Sequence, residues 1–181
     1  MKAQQTKWFD RKFDFSSEQS IFPSIIERLN GTPARLEEKI KSVSEEVLNE
    51  KINGGWSIKE NIGHLVDLEP LWMGRLEDIL TKETYLRTAD LTNSKTDQAN
   101  HNTRSINDLL KEFRSVRTLT KKRLESLSDE NIFLSALHPR LKTPMRTMDH
   151  FLFVAEHDDH HLVTINNILH TLKNKFHAPA L

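Results

Sequence analysis

Residues 149–162 read DHFLFVAEHDDHHL and hold four of the nine histidines, His150, His157, His160 and His161, with Glu156, Asp158 and Asp159 among them. Phe151, Val154, His161, Ile165, Ile168 and Leu172 recur at steps of three and four, which predicts one apolar helix face. His157 stands at i,i+4 to His161, so both rings leave the helix on the same side. Two imidazoles so placed can share one divalent ion. They can also be hydrogen-bonded core residues, because an unpaired polar ring is costly in a seam facing the core. His160 projects elsewhere, since one residue turns a helix by about 100°. It is expected beside the site or on the surface, not as a ligand of the same ion. His150 shares the face of His157 but lies two turns away, about 10 Å, too far for that ion.

The composition narrows what surrounds this helix. With 181 residues the chain fits one domain with a sizeable core. Lysine plus arginine and aspartate plus glutamate number 26 each, so the net charge is zero and a general nucleic-acid binder is not expected. There is no cysteine, which excludes disulfides and a thiol nucleophile and leaves metals to nitrogen and oxygen ligands. No stretch reaches the ~18 apolar residues of a membrane span, and residues 1–13 lack an apolar leader core, so a cytoplasmic protein without a membrane partner is expected. Five glycines and one tyrosine are poor material for a many-stranded sheet.

Residues 1–20 are polar with scattered aromatics and are expected to form an irregular arm, followed by a single helical domain over 21–175 and a frayed tail at 176–181. Ile21–Leu29 predicts a short helix, broken at Asn30-Gly31-Thr32-Pro33. The next helix then starts at Pro33, with Thr32 as cap, and runs to Val43. Ser57 and Glu60 have capping-box spacing and open a helix to Leu80, which Pro70 could kink. His64 sits on its second turn near the inner line, the candidate third ligand. Glu60 could contact an imidazole, but closing the capping box is its simpler role.

Residues 81–104 show no periodicity; a loop of that length is either functional or a solvated connection. Ser105 is expected to cap a helix to Leu127 whose Arg114, Arg117, Lys121, Lys122 and Arg123 make a solvated basic face. Residues 128–149 read as an irregular connection, and Thr147 as the cap of the last helix, 147–173. The sum is an all-α protein, a four-helix bundle with a long crossover loop.

One histidine on one helix and an i,i+4 pair on another give three neutral nitrogen ligands and an open position, the pattern of catalytic zinc-type sites. Such an ion lowers the pKa of a water or thiol placed on it.

At this point four stretches resemble a known family. They are IERLNGTPARLEEKI (26–40), GGWSIKENIGHLVDLEPLWMGRL (54–76), HPRLKTPMRTMDHF (138–151) and EHDDHHLVTI (156–165). Together they are similar to the DinB/YfiT-like superfamily, in its YfiT-like branch of bacillithiol S-transferases and metal-dependent hydrolases. The resemblance implies a DinB-like bundle with up-down-down-up connectivity, a zinc or nickel ion held by His64, His157 and His161, and a homodimer. The low charge around Leu68, Leu71 and Trp72 fits such a dimer. It implies a small-molecule substrate, with a low-molecular-weight thiol as a partner in transfer. Glu156 and Asp158 around His157 depart from the aromatic and glycine that many YfiT-like members carry there.

Two functions follow. One is a metal-dependent thiol transferase or hydrolase. The other is a non-enzymatic metal- or ligand-binding stress protein. A cavity above the ion, lined by His160, Trp72 or the 81–104 loop, would favour the enzyme; side chains filling that space would favour the binding protein.

Overall fold

The computed structural model of the chain describes residues 4–18 and 20–176, with side chains to Lys173. The arm's first three residues, Gln19 and the tail from residue 177 lie outside the described residues. Among the described residues seven helices form: α1 (Phe22–Ile40), α2 (Glu45–Asn49), α3 (Ile58–Leu80), α4 (Ser94–Gln98), α5 (Ile106–Glu125), α6 (Asp129–Phe133) and α7 (Thr147–Phe176). The long ones, α1, α3, α5 and α7, make the bundle. α1 and α3 each pack on both α5 and α7, so chain neighbours α1 and α3 face each other across a diagonal.

Side-chain pairing fixes the directions. Arg28 reaches Glu156 and Lys39 reaches Asn166, so α1 and α7 are parallel. Glu69 reaches Arg117 and Glu77 reaches Arg123, so α3 and α5 are parallel. Asn61 meets His161 and Trp72 meets His150, so α3 and α7 are antiparallel. The bundle is therefore up-down-down-up. Two parallel neighbours such as α3 and α5 need a connection that returns along the bundle, and that is why the 81–104 crossover is long.

The expected break at Asn30–Pro33 does not occur; α1 runs straight through it. Pro33 has no N–H for the Leu29 carbonyl. That carbonyl instead accepts from Arg117 Nη1 at 3.3 Å, so the helix loses a bond without leaving a buried acceptor empty. Thr32, expected as a cap, is buried inside α1 and donates to Asp158 Oδ2 at 2.8 Å. Arg117 is no part of a solvated face. It is 2% exposed and binds Glu69 and Asp158, with Thr120 donating to the same Glu69. Burial by itself would lower the Arg117 pKa, but the charges of Asp158 and Glu69 override it and hold the guanidinium ionised.

The capping box at Ser57 and Glu60 forms as expected, and α3 continues past Pro70. α5 starts at Ile106, but the Ser105 hydroxyl makes no cap bond. At the start of α7 the cap comes from Asp149, whose Oδ2 accepts from Arg146 N at 3.0 Å, while the Thr147 hydroxyl is buried without a partner among the described residues.

Residues 128–149 are more regular than expected. They form α6 and a hairpin of β1 (Ser135–Leu137) with β2 (Pro144–Arg146), antiparallel, and Tyr85 of the crossover bridges to Leu137. Pro144 begins its strand, where its missing N–H is tolerated. The apolar core divides into two clusters. One surrounds Trp72, Phe151 and Met145; the other surrounds Ile62, Phe113 and Ile165.

Candidate metal centre

α3 and α7 cross with His64 opposite His157 and His161. All three are buried, and each offers a ring nitrogen within 4.8 Å of the others. The i,i+4 spacing brings the Nε2 atoms of His157 and His161 to 3.3 Å.

Neighbouring side chains set two of the tautomers. Asn61 Nδ2 donates to the Ser57 carbonyl at 2.7 Å, so its Oδ1 is the acceptor facing His161 Nδ1 at 2.8 Å. His161 therefore carries its proton on Nδ1 and presents a lone pair at Nε2. The Thr96 hydroxyl donates to Asp67 Oδ2 at 2.9 Å, so its oxygen accepts from His64 Nδ1 at 3.0 Å, and His64 Nε2 is likewise bare. His157 Nδ1 is buried with no partner among the described residues, which leaves its Nε2 able to present a lone pair beside the other two. Hydrogen bonds on the outer nitrogens that aim lone pairs inward are what a cation site requires.

The electrostatics agree. Burial pushes the His64 pKa down to about 4, against a smaller upward pull from Asp67. His157 and His161 are held well below the ordinary value, first by burial; His64 pushes His157 down next, and His157 and then His64 push His161 down. All three are neutral donors at pH 7, and the set fits a divalent ion.

The crossover supplies the outer layer. Thr96 lies on α4 and His101 in the turn after it, and both bind Asp67 of α3. Burial would raise the Asp67 pKa, but hydrogen bonds from His101 and Thr96 outweigh it and hold the carboxylate below its usual range. Gly63 makes room for the His101 ring, which a Cβ there would strike. Buried Lys59 pins the end of the crossover by donating to the Arg104 carbonyl at 2.7 Å and pairing with Glu45. Trp56 lies against His64, ring centroids 4.6 Å apart, and donates from Nε1 to Asp97 at 2.9 Å. The arm closes another side, with Trp8 at 4.9 Å from the His157 ring and Arg11 on Glu156 at 2.6 Å.

The other expected candidates fall outside the group of three. His160 is half-buried, its ring 5.5 Å from His161 and perpendicular to it. Glu60 is spent on the Ser57 N–H and on Lys51, and does not reach an imidazole. Glu156 and Asp159 bind Arg28 of α1, and Asp158 belongs to the Arg117 layer. Thr96, His101, Arg75 and Arg140 were missed as site residues. Thr96, His101 and Arg140 come from connections without helical periodicity, and Arg75 is a charged residue on an otherwise apolar helix face.

A cavity of about 520 Å³ opens from the three histidines. Its walls include Trp72, His160 and crossover residues Thr88 to Leu91. Leu68 and Leu71 face it too, so that stripe of α3 is cavity wall.

Comparison with known proteins places this arrangement. No curated protein matches the chain. Among solved structures, YfiT from Bacillus subtilis, described as a probable metal-dependent hydrolase with an unusual four-helix bundle topology, superposes with a TM-score of 0.78 at 20% identity, over 90% of this chain and 94% of that one. That likeness shows the fold. The family model of the DinB superfamily matches residues 28–165, a span that runs from within α1 through most of α7 and takes in all three histidines. By that match, over well more than half its length, the chain belongs to the DinB superfamily.

Proposed function

We propose that the protein is a metal-dependent enzyme that acts on a small molecule, as a hydrolase or a thiol S-transferase, with His64, His157 and His161 holding a zinc or nickel ion. The observation that carries this reading is the junction of two features: three buried, neutral imidazoles within 4.8 Å of one another, and a cavity that begins at them. When bound, a divalent ion supplies a Lewis acid that stabilises negative charge on oxygen or sulfur at neutral pH. The chain's own residues do the rest. Asn61 and Thr96 hold the imidazoles in one tautomer and orientation. Trp8, Trp56, Trp72 and Phe153 wall the space with apolar surface that limits water. YfiT, which shares the fold, is itself described as a probable metal-dependent hydrolase.

The competing reading, a non-enzymatic metal- or ligand-binding protein, is disfavoured because Trp72 and His160 line the cavity instead of filling it. The homodimer and the cytoplasmic location belong to this proposal as well.

Metal content of the purified protein, with thiol-conjugation and ester- and amide-hydrolysis panels, tests the reading. His64→Ala and His161→Ala should each lose the ion and any turnover. Metal retained by both variants would end the assignment, and a stoichiometric ion with no turnover across both panels would favour the binding protein.

A further inference from the structure

The cavity has a second polar end. It is formed by Arg75 of α3 and by His138 and Arg140 of the hairpin turn. Arg75 and His138 are each 2% exposed, yet among the described residues no carboxylate hydrogen-bonds to either. Arg75 Nε donates to the Arg87 carbonyl at 3.1 Å, and Nη2 has no partner among the described residues. The nearest acid that could serve it, Asp78, is taken up by Arg87, which holds both its oxygens through side chain and backbone. Gly74 permits that, because a Cβ there would strike the Arg87 guanidinium.

His138 presents the same deficit. Its Nδ1 accepts from the backbone N–H of Arg140 at 3.2 Å and of Leu141 at 3.1 Å. A nitrogen that accepts carries no proton, so His138 bears its proton on Nε2. That Nε2 lies 3.3 Å from Arg75 Nη1. Two donors therefore face each other across a buried contact with no acceptor between them. Arg140 adds a third cationic or donor group; the Phe9 ring lies beneath its guanidinium, 5.3 Å away. Asp90, the one carboxylate among the lining residues, is turned onto the Thr92 and Ser94 hydroxyls and amides. Buried donors without acceptors are rare in folded proteins and mark a place where something else accepts.

We propose that Arg75, His138 and Arg140 form an oxyanion subsite, and that the protein's substrate is a small, largely apolar molecule carrying a carboxylate or a phosphate ester. The Trp72 ring joins the two ends, 5.6 Å from the His157 ring and 5.6 Å from the Arg75 guanidinium carbon. The anion is held about one indole from the imidazole cluster, which selects the length of the substrate. The subsite rests on the enzyme reading only in calling its ligand a substrate.

Calorimetric titration of the purified protein with phenylacetate, phenyl phosphate and neutral phenylacetamide tests this. At least one anion should bind about tenfold or more tightly than the amide, the usual order for a charge-assisted contact; which anion wins decides between carboxylate and phosphate ester. Arg75→Gln and the more exposed Arg140→Gln should each abolish that preference while metal content stays constant. His161→Ala should lose the ion and keep the preference. A preference that disappears in His161→Ala but survives both arginine variants would place the anion on the ion and overturn the subsite. Equal binding of all three probes, or none by either anion, would overturn it too.

Discussion

Two polar layers are buried at the middle of the bundle, meeting at the consecutive residues His157 and Asp158 of α7, and they differ in one respect. Asp158, Glu69, Arg117, Thr32 and Thr120 saturate one another. Arg117 binds both oxygens of Asp158 and Oε1 of Glu69, Thr120 donates to the remaining Glu69 Oε2, and Thr32 adds a second donor to Asp158 Oδ2. One residue away, His157 turns to the other side of α7 and meets His64 and His161, its Nδ1 without a partner among the described residues and its Nε2 facing theirs. The first layer is charged and complete; the second is neutral and incomplete. Buried polar groups that satisfy each other specify a fold, whereas those left unsatisfied need a ligand. The same deficit recurs at Arg75 and His138, on the same cavity.

The charged layer should break most expensively. Arg117→Met strands two buried carboxylates and removes the donor that replaces the Pro33 N–H at Leu29. Loss of about 3–5 kcal/mol in urea unfolding is expected. Replacing Arg117, Glu69 and Asp158 together by apolar residues should cost less than Arg117→Met alone, because no charge is then left unpaired. A single-variant loss within about 1 kcal/mol would mean that the layer is not complete as described.

The neutral histidines should respond to pH where the charged layer does not depend on them. His150 is fully buried, donates to the Trp72 carbonyl at 3.0 Å, and has its pKa pushed down to about 3, first by burial and then by Arg75. Unfolded, it takes up a proton near pH 6.5. Below that pH the unfolded chain binds a proton that the folded chain refuses, so stability is full above about 6.5 and falls with acidification. The loss reaches about 3 kcal/mol by pH 4. His150→Gln keeps a donor for Trp72 and removes the titration, so its stability curve should flatten over that range by a similar amount. Parallel curves for the two proteins would refute the assignment.

The hydrogen bonds behind the cluster come next. Thr96→Val and Asn61→Leu remove the acceptors that fix His64 and His161. Each should weaken metal binding about 10- to 100-fold in competition with a chelator, while an unrelated surface threonine variant should not.

How much of this could be read in the residues follows from the range of each interaction. The i,i+4 pair His157 and His161, the capping box at Ser57 and the helical spans are local, and they stand in the sequence. His64 could be placed only on the inner line of α3; its meeting with α7 depends on which helices are neighbours. Pro33 was misread because its missing bond is repaired by Arg117, 84 positions away in the chain. Arg117 itself looked like one cation in a basic run, and only the arrival of Glu69 and Asp158 from other helices makes it a core residue. Thr96 had no local signal at all, since its role comes from the fold of a crossover without periodicity.

The smallest effect is expected at His160. It follows Asp159 and precedes a proposed ligand, it is one of three histidines in five residues, and it lines the same cavity. Sequence proximity alone would make it a ligand. The helix turns it away: its ring stands at 89° to His161, rests 5.6 Å from Trp8, and offers no nitrogen to the group of three. His160→Ala should therefore keep the metal, with affinity changed by less than about threefold, because it neither coordinates nor orients a coordinating ring. Metal stoichiometry and chelator competition on His160→Ala and His161→Ala, run side by side, decide the matter. If His160→Ala lost the ion and His161→Ala kept it, the lone pairs that Asn61 and Thr96 set would not be the ones that hold a cation, and the contrast between the complete and incomplete layers would lose its chemical meaning.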